Sequence, residues 1–139
     1  MLIRPQQFEV FDSLAETAFE TRIMEYLRAE QRELQVHLPG ETLMLGQIDD
    51  RTLREMVRHG IERARSYGIT WESTLTSFVA IMFLVAPGFD ENSHVKQVLG
   101  NQEMAADLRV DELLSVISED TWAEVKRGYD VNAWSWRTV

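Results

Sequence analysis

A chain of 139 residues fits one domain, and 45% hydrophobic residues with four tryptophans are enough to build a core. The absence of cysteine excludes disulfides, thiolate metal sites and cysteine nucleophiles. A net charge of −9 argues against binding the phosphate backbone of nucleic acids, and suits either solubility or a basic protein partner.

Pro5 fits a first helical turn, where its missing N–H costs nothing. Phe8, Phe11, Ala15, Ala18, Phe19, Ile23 and Tyr26 then recur at helical spacing, predicting a long amphipathic helix over 5–30. Glu9, Asp12, Glu16 and Glu20 follow steps of three and four and form one acidic ridge, either a solvated face or a partner-binding one. Arg22 falls within the apolar face, where an unpaired charge is costly, so a structural ion pair with Glu55 or Glu62 is expected. Residues 31–48 break the pattern. Pro39-Gly40 signals a turn, and the alternation around it suits a short hairpin or an extended loop, here assigned as a connector and a candidate contact loop.

Leu53, Met56, Val57, Gly60, Ile61, Ala64 and Tyr67 form the continuous apolar face of a second helix. Asp49 and Asp50 suit its N-terminus, Gly68 suits a left-handed C-terminal cap, and Gly60 predicts close approach of another helix. Arg51, Arg54, Arg58 and Arg65 make a basic ridge that either pairs with the acidic ridge of the first helix or serves as a docking surface. Thr70 is placed as N-cap of a third helix whose inner face is Trp71, Leu75, Phe78, Val79, Met82 and Phe83. Ile81, Leu84 and Val85 make its second half apolar all round, as in a central helix, and Pro87-Gly88 ends it.

Short helices are expected near 92–99, 102–107, 110–117 and 119–127, with Ser118 as an N-cap and Gly128 as a stop. Leu113, Leu114, Val116, Ile117, Trp122 and Val125 are assigned to pack back on the bundle. In the tail, from about 129 to 139, Trp134 and Trp136 either fold onto the core or, if exposed, anchor an interface. The fold class that follows is all-α: a compact single-domain bundle of five to seven helices, with a long first helix and a central helix pair.

No stretch reaches the roughly 20 apolar residues of a bilayer span, and the first residues lack a signal-peptide core, so a soluble cytoplasmic protein is expected. His37, His59 and His94 are far apart and lack metal-ligand spacing, and His59 points away from the apolar face of its helix. There is no phosphate loop, nucleophile elbow or zinc-protease motif. Asp90-Glu91-Asn92 is a fragment of a calcium loop without its glycine, and is better read as a helix cap. No cofactor and no metal are expected. With 23 acids, a small enzyme using clustered carboxylates in an interhelical cleft stays open as an alternative.

Phe19-Glu20-x-Arg22-Ile23-Met24-Glu25-x-Leu27-Arg28 opens a set of spaced residues. Leu53-Arg54-x-Met56-Val57-Arg58-x-Gly60-Ile61-Glu62-Arg63-Ala64, Tyr67-Gly68-Ile69, Met82-Phe83 and Phe89-Asp90 complete it. Across roughly residues 8 to 92 this pattern resembles a family of small helical bacterial proteins encoded beside type VI secretion effectors and PAAR or Rhs-like toxin genes. The connector holding Leu38-Pro39-Gly40 is longer than in that pattern, and the tail with its two tryptophans is particular to this chain. The resemblance implies a protein that acts by binding, as an effector adaptor or chaperone, or as the immunity protein of a toxin. The candidate partner-binding residues are Glu9, Asp12, Glu16, Glu20, Arg51, Arg54, Arg58, Trp134 and Trp136. A homo-oligomer formed through the tryptophan tail is a further possibility.

Overall fold

The structure is a computed structural model that describes the backbone of residues 5–134 and the side chains of residues 13–134. Among the described residues the chain forms six α-helices: α1 (Pro5–Glu30), α2 (Asp50–Ser66), α3 (Glu72–Leu84), α4 (Ser93–Leu99), α5 (Ala106–Val116) and α6 (Glu119–Arg127). Strands β1 (Gln35–Leu38) and β2 (Glu41–Met44) make one antiparallel hairpin between α1 and α2. The bundle is thus all-α apart from that hairpin, as the periodicity predicts.

The α2–α3 pair is the centre. Leu53, Met56, Val57, Ile61 and Ala64 of α2 are buried against Leu75, Phe78, Val79 and Met82 of α3. Gly60 permits the approach: a Cβ there would lie 2.9 Å from Met82 Sδ and 3.0 Å from Val79 Cγ2. Methionine can swing away, but the β-branched Val79 is stiff. Gly60→Ala should therefore cost about 1 kcal/mol net in a urea melt, because overpacking outweighs the gain in helix propensity. A more stable variant would refute the close approach.

Gly68, at φ +89°, turns the chain between the two helices. Its N–H reaches the Arg65 carbonyl at 2.9 Å and that of Ile69 reaches the Ala64 carbonyl at 3.4 Å, the paired bonds of a Schellman cap. At the other end Asp49 caps α2 by accepting from the Thr52 N–H.

Helix α1 lies antiparallel to α2, since Glu16 meets Arg65 while Arg28 meets Asp50. Its buried stripe is Phe19, Glu20, Ile23, Met24 and Leu27, rotated from the stripe expected. Ala15, Ala18 and Tyr26 are exposed, and the carboxylate of Glu20 takes a core position because α2 supplies arginines to meet it.

The connector is a hairpin. Val36 and Leu38 point inward while Gln35 and His37 point outward, so the alternation was a true strand signal. Pro39 followed by Gly40 at φ +84° is the residue order of a type II turn.

Three expectations for α3 need correction. Trp71 is 53% exposed, because it occupies the N-cap position outside the helix rather than its inner face. Leu84 is also exposed, so the last turn of α3 reaches the surface. Thr70 is not the cap; the α3 N-terminus is capped from α5 instead, as described below.

In the last third, Asn92 caps α4 and Ser118 caps α6. The stretches expected as separate helices at 102–107 and 110–117 give way to a loop and the single helix α5. Leu113 and Val125 enter the core and Ile117 and Trp122 pack on it, but Leu114 and Val116 face outward. After α6 a short 3-10 turn, Val131–Trp134, carries Trp134 back against Phe83.

Candidate functional site

The acidic and basic ridges read from the sequence meet each other. Glu20 is 1% exposed, accepting from Arg58 Nε at 2.8 Å and from Arg54 Nη1 at 3.0 Å. Arg54 also donates to the Thr21 hydroxyl and the Thr17 carbonyl. Glu16 takes both guanidinium N–H groups of Arg65, at 2.9 and 3.0 Å. Burial alone would raise the Glu20 carboxyl, but the hydrogen bonds and charges of Arg58 and Arg54 outweigh it and hold the group below the usual range. Of the proposed partner-binding residues, Glu16, Glu20, Arg54 and Arg58 are therefore engaged within the fold. Arg51 is exposed and reaches Glu55 on its own helix at 3.7 Å. The side chains of Glu9 and Asp12, and all of Trp136, lie outside the described residues.

Arg22 is exposed rather than buried. It pairs with Glu72 of α3 at 2.7 Å, not with Glu55 or Glu62, and lies over the Phe19 ring. The face expected to trap it is the one the rotation of α1 turns outward.

The Asp90-Glu91-Asn92 segment caps α4 as expected, through Asn92, while Asp90 itself turns inward. It is buried, accepting from the Tyr67 hydroxyl at 2.8 Å and pairing with Arg63, whose other arm reaches the Pro87 carbonyl. Burial and the Asp90 contact both push the Tyr67 phenol up. His59 sits half-buried nearby rather than exposed, and burial together with Arg63 lowers its pKa. This group joins α2 to the turn after α3.

Helix α5 contributes the two remaining buried charges. Asp107 accepts from the backbone N–H groups of Thr70 and Trp71 and from the hydroxyls of Thr70 and Thr74, so it caps α3 from a distant part of the chain. Burial opposes its ionisation, yet these donors hold it below the usual range. Arg109 donates to the carbonyls of Met104, Leu99 and Tyr67, the last two at the C-terminal ends of α4 and α2.

Trp134 is 1% exposed, not an exposed anchor. Its indole N–H donates to the Tyr129 hydroxyl at 2.8 Å. That hydroxyl in turn accepts from the His37 N–H and donates to the His37 carbonyl. His37 pairs with Thr42 at a position of the two-residue hairpin whose own backbone groups point away from β2. A side chain from the C-terminal segment thus satisfies the outward backbone groups of His37 on the edge of β1.

In these clusters the buried carboxylates of Glu20, Asp90 and Asp107 are taken up by partners within the fold. Among the described residues every buried side-chain polar atom has a partner, and no group of three or more histidine or acidic residues could hold a metal ion. The two buried carboxylates with displaced titration, Glu20 and Asp107, are both lowered, the reverse of what a carboxylate general acid needs.

The surface offers open grooves instead. One, of about 510 Å³, lies between α4, the loop after it and α5, with Val98 and Val116 as its apolar part and Asn101, Gln102, Glu103 and Glu112 around them. Sequence reading missed this groove, because it placed Val116 in the core. Among the described residues, no helix is long and apolar enough to cross a membrane. Comparison with protein-family models, curated proteins and solved structures finds no match.

Proposed function

We propose that this protein acts by binding another protein, without catalysis of its own. Its partner is an effector or toxin encoded at the same locus, and its role is that of adaptor and chaperone or of immunity protein. The observation that carries this proposal is the division between interior and surface. The buried charges of Glu20, Asp90, Asp107 and Arg109 are fully engaged in holding helices together, while Leu14, Trp71, Leu108, Leu114 and Val116 stay exposed. Exposed apolar side chains on a highly charged surface suit a contact face. A charge of −9 would speed association with a basic partner. The cytoplasm is the compartment in which such a partner would be met before export.

Co-expression with each neighbouring gene tests this. A stable complex is expected with one product. Rescue of the host from that product's toxicity assigns the immunity role, and a complex with a non-toxic product assigns the adaptor role. Failure to co-purify with any neighbouring product would sink the proposal.

A further inference from the structure

We propose that the groove between α4 and α5 is the docking surface, and that its occupant is a basic amphipathic segment of the partner. This rests on the protein-binding function proposed above and specifies where the partner sits. Where α1 and α2 face each other the fold answers acids with arginines: Glu16 with Arg65, Glu20 with Arg54 and Arg58, Asp50 with Arg28. Only the outward Glu25, Glu30 and Glu62 of these helices make no ion pair among the described residues. The segment from Gln97 to Val125 is treated differently. Arg109 is its single basic residue and is buried against carbonyls, so it neutralises nothing at the surface. Glu103, Asp111, Glu112, Glu119, Asp120 and Glu124 make no ion pair among the described residues.

Within that unanswered field the groove supplies an apolar part. Val116 is 51% exposed at the end of α5, and Val98 lines the same groove from α4. Glu103 and Glu112 flank the valines, and Asn101 and Gln102 offer both donors and acceptors along one wall. An occupant needs aliphatic side chains for the valines and positive charge for the acids. A segment with leucine-like residues at i and i+4 and lysine or arginine between them meets both demands. An acidic or purely apolar segment meets only one.

Two measurements on the full chain test this. The first compares the wild type with Glu103→Lys/Glu112→Lys in binding the partner found by co-purification. The double variant is expected to bind at least about tenfold more weakly, with a shallower dependence on salt. Val116→Ser tests the apolar part separately, and thermal melts confirm that each variant is folded. Unchanged affinity in the charge variant overturns the groove assignment while leaving the protein-binding function intact.

The second measurement holds even when no neighbouring product binds, which is the failure of the broader function. A synthetic helical peptide with leucines at i and i+4 and lysines elsewhere is titrated into isotope-labelled protein. Amide shifts confined to residues 97–103 and 112–117 support the groove. Shifts spread over every acidic face, or equal shifts with a peptide carrying glutamate in place of lysine, overturn it.

Discussion

Replacing Arg54 and Arg58 together by methionine should destabilise the protein by about 3–5 kcal/mol, because it leaves the Glu20 carboxylate buried without a counter-charge. Adding Glu20→Met to that variant should recover most of the loss, since three apolar side chains can fill the space without a desolvated ion. Single Glu20→Met should cost less than the arginine pair, because Arg58 is half exposed and can turn to water. Urea melts of the four proteins give the comparison, and a triple variant no more stable than the double would refute an electrostatic origin.

The pH dependence supplies a second check. In the wild type the folded-state pKa of Glu20 is depressed, so the unfolded chain binds its proton first on acidification. The Glu20 contribution is fully present above the unfolded value and is lost as the pH falls through the folded one. In the double variant burial, which raises the carboxyl, is opposed only by the remaining charge of Arg65, so the Glu20 pKa should rise. The Glu20 contribution to the slope should reverse, falling as the pH rises, while that of Asp107 keeps its sign.

Trp134→Ala should cost about 3–5 kcal/mol, lowering the melting temperature by roughly 10–20 °C for a chain of this length. The indole is fully buried, its ring centroid 4.7 Å from that of Phe83, and its N–H holds the Tyr129 hydroxyl. Trp134→Phe keeps an aromatic ring but removes the donor, so a loss of about 1–2 kcal/mol is expected. A Trp134→Ala melt within about 1 kcal/mol of wild type would contradict this packing. The result also bears on self-association: a tryptophan committed to the core is not available to join two copies.

How much of this could be seen in the chain itself depended on how local each signal was. The α2–α3 pair was legible because Leu53, Met56, Val57, Ile61 and Ala64 repeat at one period, and Gly60 and Gly68 each mark a single backbone requirement. The Val36–Leu38 alternation likewise announced a strand. The pairing of the acidic ridge with the arginines of α2 was legible, but the burial of Glu20 was not, because a charged residue is normally assigned to solvent. The role of Asp107 was not legible either, since the helix end it caps lies more than 30 residues away. Trp71 was drawn into the core by hydrophobicity alone, although it sits outside its helix. The α4–α5 groove depends on the relative placement of Val98 and Val116, which no single period encodes.

The Tyr129 hydroxyl on His37 has a consequence for how the protein is made. Partners 92 residues apart in sequence must come together before the β1 edge is covered. At translation speeds of about 5–20 residues per second, the hairpin precedes its cover by on the order of 5–20 s. During that interval an unpaired strand edge can recruit another nascent chain, and chaperone demand should be highest there. Once Tyr129 and Trp134 arrive, the outward backbone groups of His37 are no longer available to another strand.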